Sequence, residues 1–445
     1  MPRSTTSRSG GGGGARPGSR QPMHKAGIAF ALLVMMWLPA AADPIVFNGE
    51  LSKAQAIARV TVQGFDVRAA QADLAVARAR STTARSELRP HISLAAIATD
   101  ANLPQLGMPV SRQTYLSASA SLPIFNSAYS FGAQAAGITA LAAADDLAGV
   151  QNDEALAVYR GYDRVLLAAA VADARQADAS DQQANVDLIS LRVRVGKAAR
   201  YQLVRARASL AQARQAKEDA DAEHDEALTD LKVLLDFDPS SNVQLSDGFT
   251  TAPPSSRLAT VSARARVQRP ELAAAKSRVD AAAASLRQAR AAFVPVTSVS
   301  AQTYNGTSNP PLGHGGAQIS AQVSIPLVDG GARSAAVAQA KADQEKAQAE
   351  YDRRSLMVQA DVANAWRELT AAQRNLVASQ AALMESRENL RVARLRLRAG
   401  KAIELEVLDA LAVSANAREA ALRAQARLDL GIATLHHAAG DPANS

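Results

Sequence analysis

Four short stretches of the chain alternate apolar with small polar side chains: residues 90–99 (PHISLAAIAT), 115–125 (YLSASASLPIF), 294–304 (VPVTSVSAQTY) and 317–327 (AQISAQVSIPL). A period of two puts one set of side chains on each face of an extended chain, so each stretch predicts a β-strand of about ten residues. The segments joining each pair, residues 100–113 and 305–317, are rich in Gly, Pro and Asn and predict exposed loops. Beyond each pair the period changes. Residues 127–195 and 332–398 hold no proline, and the second segment holds no glycine either. Val362, Leu369, Leu376, Leu383, Leu390 and Leu397 fall seven apart, with Ala365, Ala372, Ser379, Ser386 and Ala393 three positions on. Val158, Val165, Ala172, Ala179, Val186 and Val193 repeat that register more weakly in the earlier segment. Large and small side chains sharing a heptad predict closely packed coiled-coil helices. At 1.5 Å per residue each would be about 100 Å long, more than a compact domain can hold. Ahead of the first strand pair, Ser52-Lys53-Ala54-Gln55 reads as a capping box opening a helix that runs to about Leu88 and is stopped by Pro90. Asp329, before Gly330 and Gly331, reads as the N-cap of the second long helix.

The chain also resembles itself. LRVRVGKA, starting at Leu191, returns as LRLRAGKA at Leu395, an offset of 204, and SLPIF from Ser121 corresponds to SIPLV from Ser324. Ordered matches at nearly the same offset predict two tandem repeats. The first covers 43–236, with strands at about 90–99 and 115–125 and a helical hairpin over about 127–236. The second covers 258–440, with strands at about 294–304 and 317–327 and a hairpin over about 332–439. A connector rich in Pro and Ser, 237–257, joins them; Arg269-Pro270 restarts helical sequence after it, and a short tail, 441–445, closes the chain. The expected fold class is mainly α with a small β part.

Composition narrows the chemistry. The 100 alanines among 445 residues suit long helices in close contact, and 4% aromatic residues argue against a large aromatic-rich enzyme core. With no cysteine there is no disulfide, thiolate metal site, cysteine nucleophile or lipidated cysteine. The net charge of +7 would suit a polyanion partner, but five of the basic residues, Arg3, Arg8, Arg16, Arg20 and Lys25, precede position 43. Without them 44 basic residues face 42 acidic ones, so no nucleic-acid partner is expected. Residues 23–42 (MHKAGIAFALLVMMWLPAAA) have a lysine, an apolar run and small residues before Asp43, the pattern of a secretory signal peptide cleaved after Ala42. Residues 1–22 form a low-complexity extension, and Met23 is the expected start.

Strands of about ten residues match the span of an outer-membrane barrel strand. Four strands cannot close a barrel, and an open edge is not tolerated in lipid, so several subunits would have to share one barrel; three copies supply twelve strands. A soluble sandwich and a coiled-coil scaffold without a pore are the alternatives at this point. RPELAAAKSRVDAAAASLRQARAAFVP (269–295), SIPLVDGGARSAAVAQAKA (324–342) and RLRAGKAIELEVLDAL (396–411) favour the barrel, with the periplasmic coiled-coil scaffold kept as an alternative. With the internal repeat, they make the chain similar to the TolC-like outer-membrane efflux proteins, the outer-membrane factors of tripartite export systems. The resemblance covers essentially the whole chain after the signal segment. It implies a homotrimer with a twelve-stranded barrel in the outer membrane, continued by an α-helical tunnel in the periplasm. It also implies a passive exit duct, with a periplasmic adaptor protein, an inner-membrane pump and outer-membrane lipid as partners. A duct for type I protein secretion is the alternative use.

Gly196 and Gly400 each stand where a very long helix turns back, and glycine tolerates the left-handed backbone such a turn needs. The resemblance makes Val195, Gly196, Lys197, Ala399, Gly400 and Lys401 the periplasmic tip, where the adaptor docks. Glu406 and Asp409, three apart on one helix face, stand where the family closes its tunnel with carboxylates; the family pattern has Asp at the first of these positions. Tyr201, Gln202 and Arg205 occupy the matching positions of the first repeat, and Arg205 is a candidate latch on Glu406 or Asp409. No enzyme, cofactor or metal is expected. The six histidines are scattered, His436 and His437 have no acidic residue at ligand spacing, and GHGGA at 313–317 lacks the lysine of a phosphate-binding loop.

Overall fold

The computed structural model describes residues 46–101, 111–250, 257–307 and 315–441. The expected signal segment, the extension before it, the middle of both strand-joining loops, residues 251–256 of the connector and the tail after Asp441 lie outside the described residues.

The chain opens with β1 (Asn48–Leu51), α1 (Lys53–Gln63) and α2 (Phe65–Ser86), then the hairpin β2 (His91–Ala101) and β3 (Ser111–Phe125). The long helix α3 (Ser127–Arg194) follows and turns into α4 (Arg200–Leu234). After β4 (Asn242–Leu245) the order recurs as α5 (Leu258–Gln268), α6 (Pro270–Ala291), β5 (Val296–Thr307), β6 (Gly316–Ser324), α7 (Ala332–Arg398) and α8 (Glu404–Ala439). Two copies of one plan, mainly helical, make up the described chain.

The Ser52 capping box is formed in full: Ser52 Oγ accepts from Gln55 N–H at 3.2 Å and Gln55 Oε1 accepts from Ser52 N–H at 3.0 Å. The helix it opens is not continuous to Leu88, however. At Gly64 ψ swings to 148°, and a Cβ there would stand 2.7 Å from the Val60 carbonyl oxygen, so only glycine fits the break. The second repeat breaks at the corresponding place by other means, because Pro270 has no N–H to continue the ladder. Asp329 caps α7 from two residues outside it, accepting from Gly331 N–H at 3.1 Å and Arg333 N–H at 3.0 Å; the N-cap itself is Gly331, at φ +93°. The connector, read as irregular, contains β4, which pairs in parallel with β1 and so ties the start of the chain to the junction of the repeats.

The other four strands form one antiparallel sheet in the order β2-β3-β5-β6. β2 and β3 run into the expected first loop and β5 into the second, because backbone pairing such as Ala101 with Ser111 needs no apolar alternation to continue. Register sorts the side chains cleanly. Ile92 pairs with Ala120, Leu94 with Ala118, Leu122 with Val299 and Ala301 with Ile319, which makes one face apolar. Ser93 pairs with Ser119, Ser121 with Ser300, Ser300 with Ser320 and Gln302 with Gln318, which makes the other polar. The apolar face is uncovered: Ile92 and Ile319 are each 80% exposed. On the polar face, hydroxyls meet across strands at 2.7 Å (Ser93 and Ser119) and 2.8 Å (Ser300 and Ser320).

The cores follow the repeat. Ile57, Val158, Val165 and Leu231 pack in the first, and their counterparts 204 residues on, Val261, Val362, Leu369 and Leu435, pack in the second. α3 runs along α4 and α7 along α8, with α6 against both long helices. The heptad residues Val362, Ala365, Leu369, Ala372, Ser386, Leu390, Ala393 and Leu397 are buried, whereas Leu376, Ser379 and Leu383 are only half-covered by their own chain. Among the described residues no helix is long and apolar enough to cross a membrane.

Candidate functional site

Both long helices end in the same hydrogen-bonded turn. After α3, Gly196 N–H donates to Val193 O at 3.1 Å and Lys197 N–H to Arg192 O at 2.7 Å. After α7, Gly400 N–H donates to Leu397 O at 3.0 Å and Lys401 N–H to Arg396 O at 2.8 Å. This pair of bonds satisfies carbonyls that a helix end would otherwise leave open, and it needs a left-handed residue, here Gly196 at φ +73° and Gly400 at φ +72°. No atom lies within 4 Å of a Cβ built on either glycine, so the requirement is conformational rather than steric. Val195 and Ala399 are the helix caps, and Val195 is 58% exposed.

The turns are joined to each other. Ile189, Leu397, Val407 and Leu411 form a small core between the hairpins, and Arg192 Nη1 donates to Leu397 O at 2.6 Å. Further along, Arg394 pairs with Asp181 at 2.9 Å and Arg175 with Glu419. The basic residues of this end thus stitch α3 to α7 and α8.

Val407, Leu408 and Ala410 face that core, which turns Glu406 and Asp409 outward, both exposed in the protomer. The latch expected between Arg205 and either acid is not formed inside one chain: Glu406 lies 3.4 Å from Arg396 instead. Tyr201 is 67% exposed, and Gln202 Oε1 accepts from Ala199 N–H at 3.3 Å, capping α4. Arg205 acts on a residue that sequence reasoning passed over. Glu404, the first residue of α8, is buried with Oε1 lacking a hydrogen-bond partner. Burial pushes its carboxyl above the ordinary 4.5, and the Arg205 charge pulls the other way. Its place four residues after Gly400 gave no signal, since its burial comes from packing between hairpins.

The histidines require a correction. His436 Nδ1 lies 2.9 Å from Asp441 Oδ2, and His437 Nε2 lies 2.8 Å from Asp153 Oδ1. Asp153 is on α3, 284 positions away, beyond the reach of any spacing rule. Among the described residues no group of three or more His, Cys, Asp or Glu side chains could hold a metal ion.

An amphipathic four-stranded sheet carried on two hairpins of very long helices defines the class: the fold of an outer-membrane channel subunit. The chain belongs to the outer membrane efflux protein family, whose sequence profile matches residues 56–235 and 261–441, one block in each repeat. This is a family of channels rather than enzymes. Protein CyaE of Bordetella pertussis (strain Tohama I) is 30% identical over 245 residues, 51% of this chain and 52% of CyaE, so the chain spans about half the length of that curated relative. The fold is similar to that of the outer-membrane channel OprN, at 22% identity with a TM-score of 0.77, over 88% of this chain and 91% of OprN. It is equally similar to the CmeC outer membrane channel of Campylobacter jejuni, at 17% identity with a TM-score of 0.78, over 96% of this chain and 94% of CmeC.

Proposed function

We propose that the chain assembles as a homotrimer into an exit duct through the outer membrane, passive in itself and coupled through a periplasmic adaptor to an inner-membrane pump. The observation that carries this reading is the sheet: apolar and uncovered on one face, lined by Ser and Gln on the other, with β2 and β6 each paired on one side only among the described residues. A lipid-exposed sheet cannot keep such edges, and three copies closing edge to edge remove them. The outer face then meets lipid and the hydroxyl-lined face meets water. Leu356, Val377 and Met384 on α7, 68%, 69% and 69% exposed, supply helix contacts between neighbouring subunits.

At the far end, three copies of Glu406 and Asp409 bring six carboxylates around one axis, a ring that favours cations and narrows the exit from the pump side. Val195, Gly196, Lys197, Ala399, Gly400 and Lys401 form the surface offered to the adaptor. Arg205, Tyr201 and Gln202 are the groups that hold the closed tip, with Arg205 reaching across a subunit boundary to the acidic ring.

Single-channel recording in planar bilayers, with the oligomeric mass in detergent, tests this. The expected result is a trimer whose small, cation-selective conductance rises in Glu406→Ala/Asp409→Ala and in Arg205→Ala. A non-conducting, water-soluble protein leaves only the scaffold, and an unchanged conductance in Arg205→Ala removes the latch. Co-purification of a proton-driven or an ATP-driven pump separates efflux from type I protein secretion.

A further inference from the structure

Where the two repeats meet, α1, α3, α8 and the connector converge on a buried ionic cluster. Lys53 Nζ donates to Asp163 Oδ1 at 2.8 Å and to Asp429 Oδ2 at 3.1 Å. Asp429 is 0% exposed; its Oδ1 accepts Tyr159 O–H at 2.5 Å and its Oδ2 also accepts Thr250 N–H at 3.0 Å. The Lys53 ammonium stands 3.9 Å over the Tyr159 ring. Next to it, Tyr162 O–H donates to Leu51 O at 2.9 Å and accepts from Asp247 N–H at 3.1 Å, and Asp247 Oδ2 accepts Lys53 N–H at 2.6 Å. One oxygen is left over. Asp163 Oδ2 is buried and has no hydrogen-bond partner.

The cluster is not a requirement of the repeat. The positions equivalent to Lys53, Asp163 and Asp429 at the offset of 204 are Arg257, Arg367 and Asp225, which cannot rebuild it. Its charges do not balance either. Two buried carboxylates share one ammonium, and among the described residues Lys53 is the only cation paired with them. The titratable groups of the cluster are Lys53 from α1, Tyr159, Tyr162 and Asp163 from α3, Asp429 from α8 and Asp247 from the connector; Lys53, Asp429 and Tyr159 act on Asp163, while Tyr162 and Asp247 stand against Lys53. A surplus buried charge is relieved by taking up a proton. Lys53 keeps its charge: burial works against it, but the hydrogen bond and charge of Asp163, with the charge of Asp429, hold its pKa above the ordinary value. Burial, with a hydrogen bond to Asp429, pushes the Tyr159 hydroxyl up to about 12, so it also keeps its proton. Asp429 has both oxygens occupied, which leaves Asp163 Oδ2.

We propose that this cluster is a proton lock on the seam between the repeats: with a proton on Asp163 Oδ2, Lys53 and Asp429 balance one to one, and release of that proton to water leaves a surplus buried charge that loosens α1 and the connector from α3 and α8. Burial, against the pull of Lys53 and aided by the charge of Asp429, pushes the Asp163 carboxyl up to about 7. A carboxyl raised in the folded state contributes stability that is complete below its ordinary 3.8 and drains away as pH rises through about 7. The lock is therefore set in mild acid and released in mild alkali, whether or not the chain is a duct.

Melting of the purified protein, followed by fluorescence of Trp366 against the second core, tests this with Asp163→Asn, which copies the protonated shape. The wild-type melting temperature should fall by several degrees between about pH 4 and about pH 7 and level off above that, and the Asp163→Asn value should match it near about pH 4 and stay level throughout. Parallel falls, or a variant that melts lower at every pH, would overturn the lock, the second outcome because it would make Asp163 an ordinary ion-pair partner. If the variant does not fold, the protonated-carboxyl band in infrared spectra of the wild type decides. It should fade as pH rises through about 7, and a constant spectrum over that range excludes the lock.

Discussion

At the tip, single residues carry separable costs. An alanine at Gly196 or Gly400 would meet no neighbour, so each substitution should cost only the strain of a left-handed non-glycine residue, about 1 kcal/mol apiece. The double variant should lose less than twice that in thermal unfolding, because the two turns share the Leu397 carbonyl, which accepts from Gly400 N–H in one turn and from the Arg192 side chain of the other. Both glycines were legible from sequence, since the demand comes from backbone geometry and a repeated local motif. Glu404 was not, because what matters about it is supplied by α4 and α8 folding against each other. Its raised carboxyl means that the protonated form is favoured in the folded state, so stability from this group is present below the ordinary 4.5 and is lost as pH rises. Glu404→Gln should accordingly melt higher than wild type near neutral pH and alike near about pH 4. A lower melting temperature at neutral pH would mean that the attraction of Arg205 outweighs burial.

At the scale of elements, α7 was legible because 67 residues without glycine or proline, on a heptad of large and small side chains, allow little else, and α3, free of proline, was legible as its repeat. The break at Gly64 was missed because glycine inside a helical pattern is often tolerated. β4 was missed because it is four residues long, and its partner β1 lies nearly 200 positions earlier. The heptad also carries information about assembly. Leu369 is 3% exposed, and Leu369→Ala should cost about 2–4 kcal/mol in the chain itself. Val377 and Met384 have no such cover, so Val377→Ser with Met384→Ser should leave helix content intact while lowering the oligomeric mass seen by light scattering. Unchanged mass would show that this face of α7 is not where subunits meet.

For the whole molecule, function depends on which face of the sheet meets lipid, and sequence alternation predicted two faces without saying what would cover them. The register supplies a direct test, because Ile319 and Ser320 are neighbours on β6 with opposite outlooks: Ile319 is exposed on the apolar face, and Ser320 meets the Ser300 hydroxyl at 2.8 Å on the polar one. In a barrel, an arginine on the lipid face costs about 2–4 kcal/mol near the bilayer midplane, and a trimer incurs it three times. An arginine facing the water-filled lumen keeps its hydration and adds only charge. Ile319→Arg should therefore be lost from the outer-membrane fraction, whereas Ser320→Arg should assemble and shift the reversal potential of the pore toward anions. The ring at Glu406 and Asp409 would still favour cations, so the shift should be larger once both acids are neutralised. Equal tolerance of the two arginines would mean that the apolar face never meets lipid, and the barrel would have to be abandoned even though the fold stands.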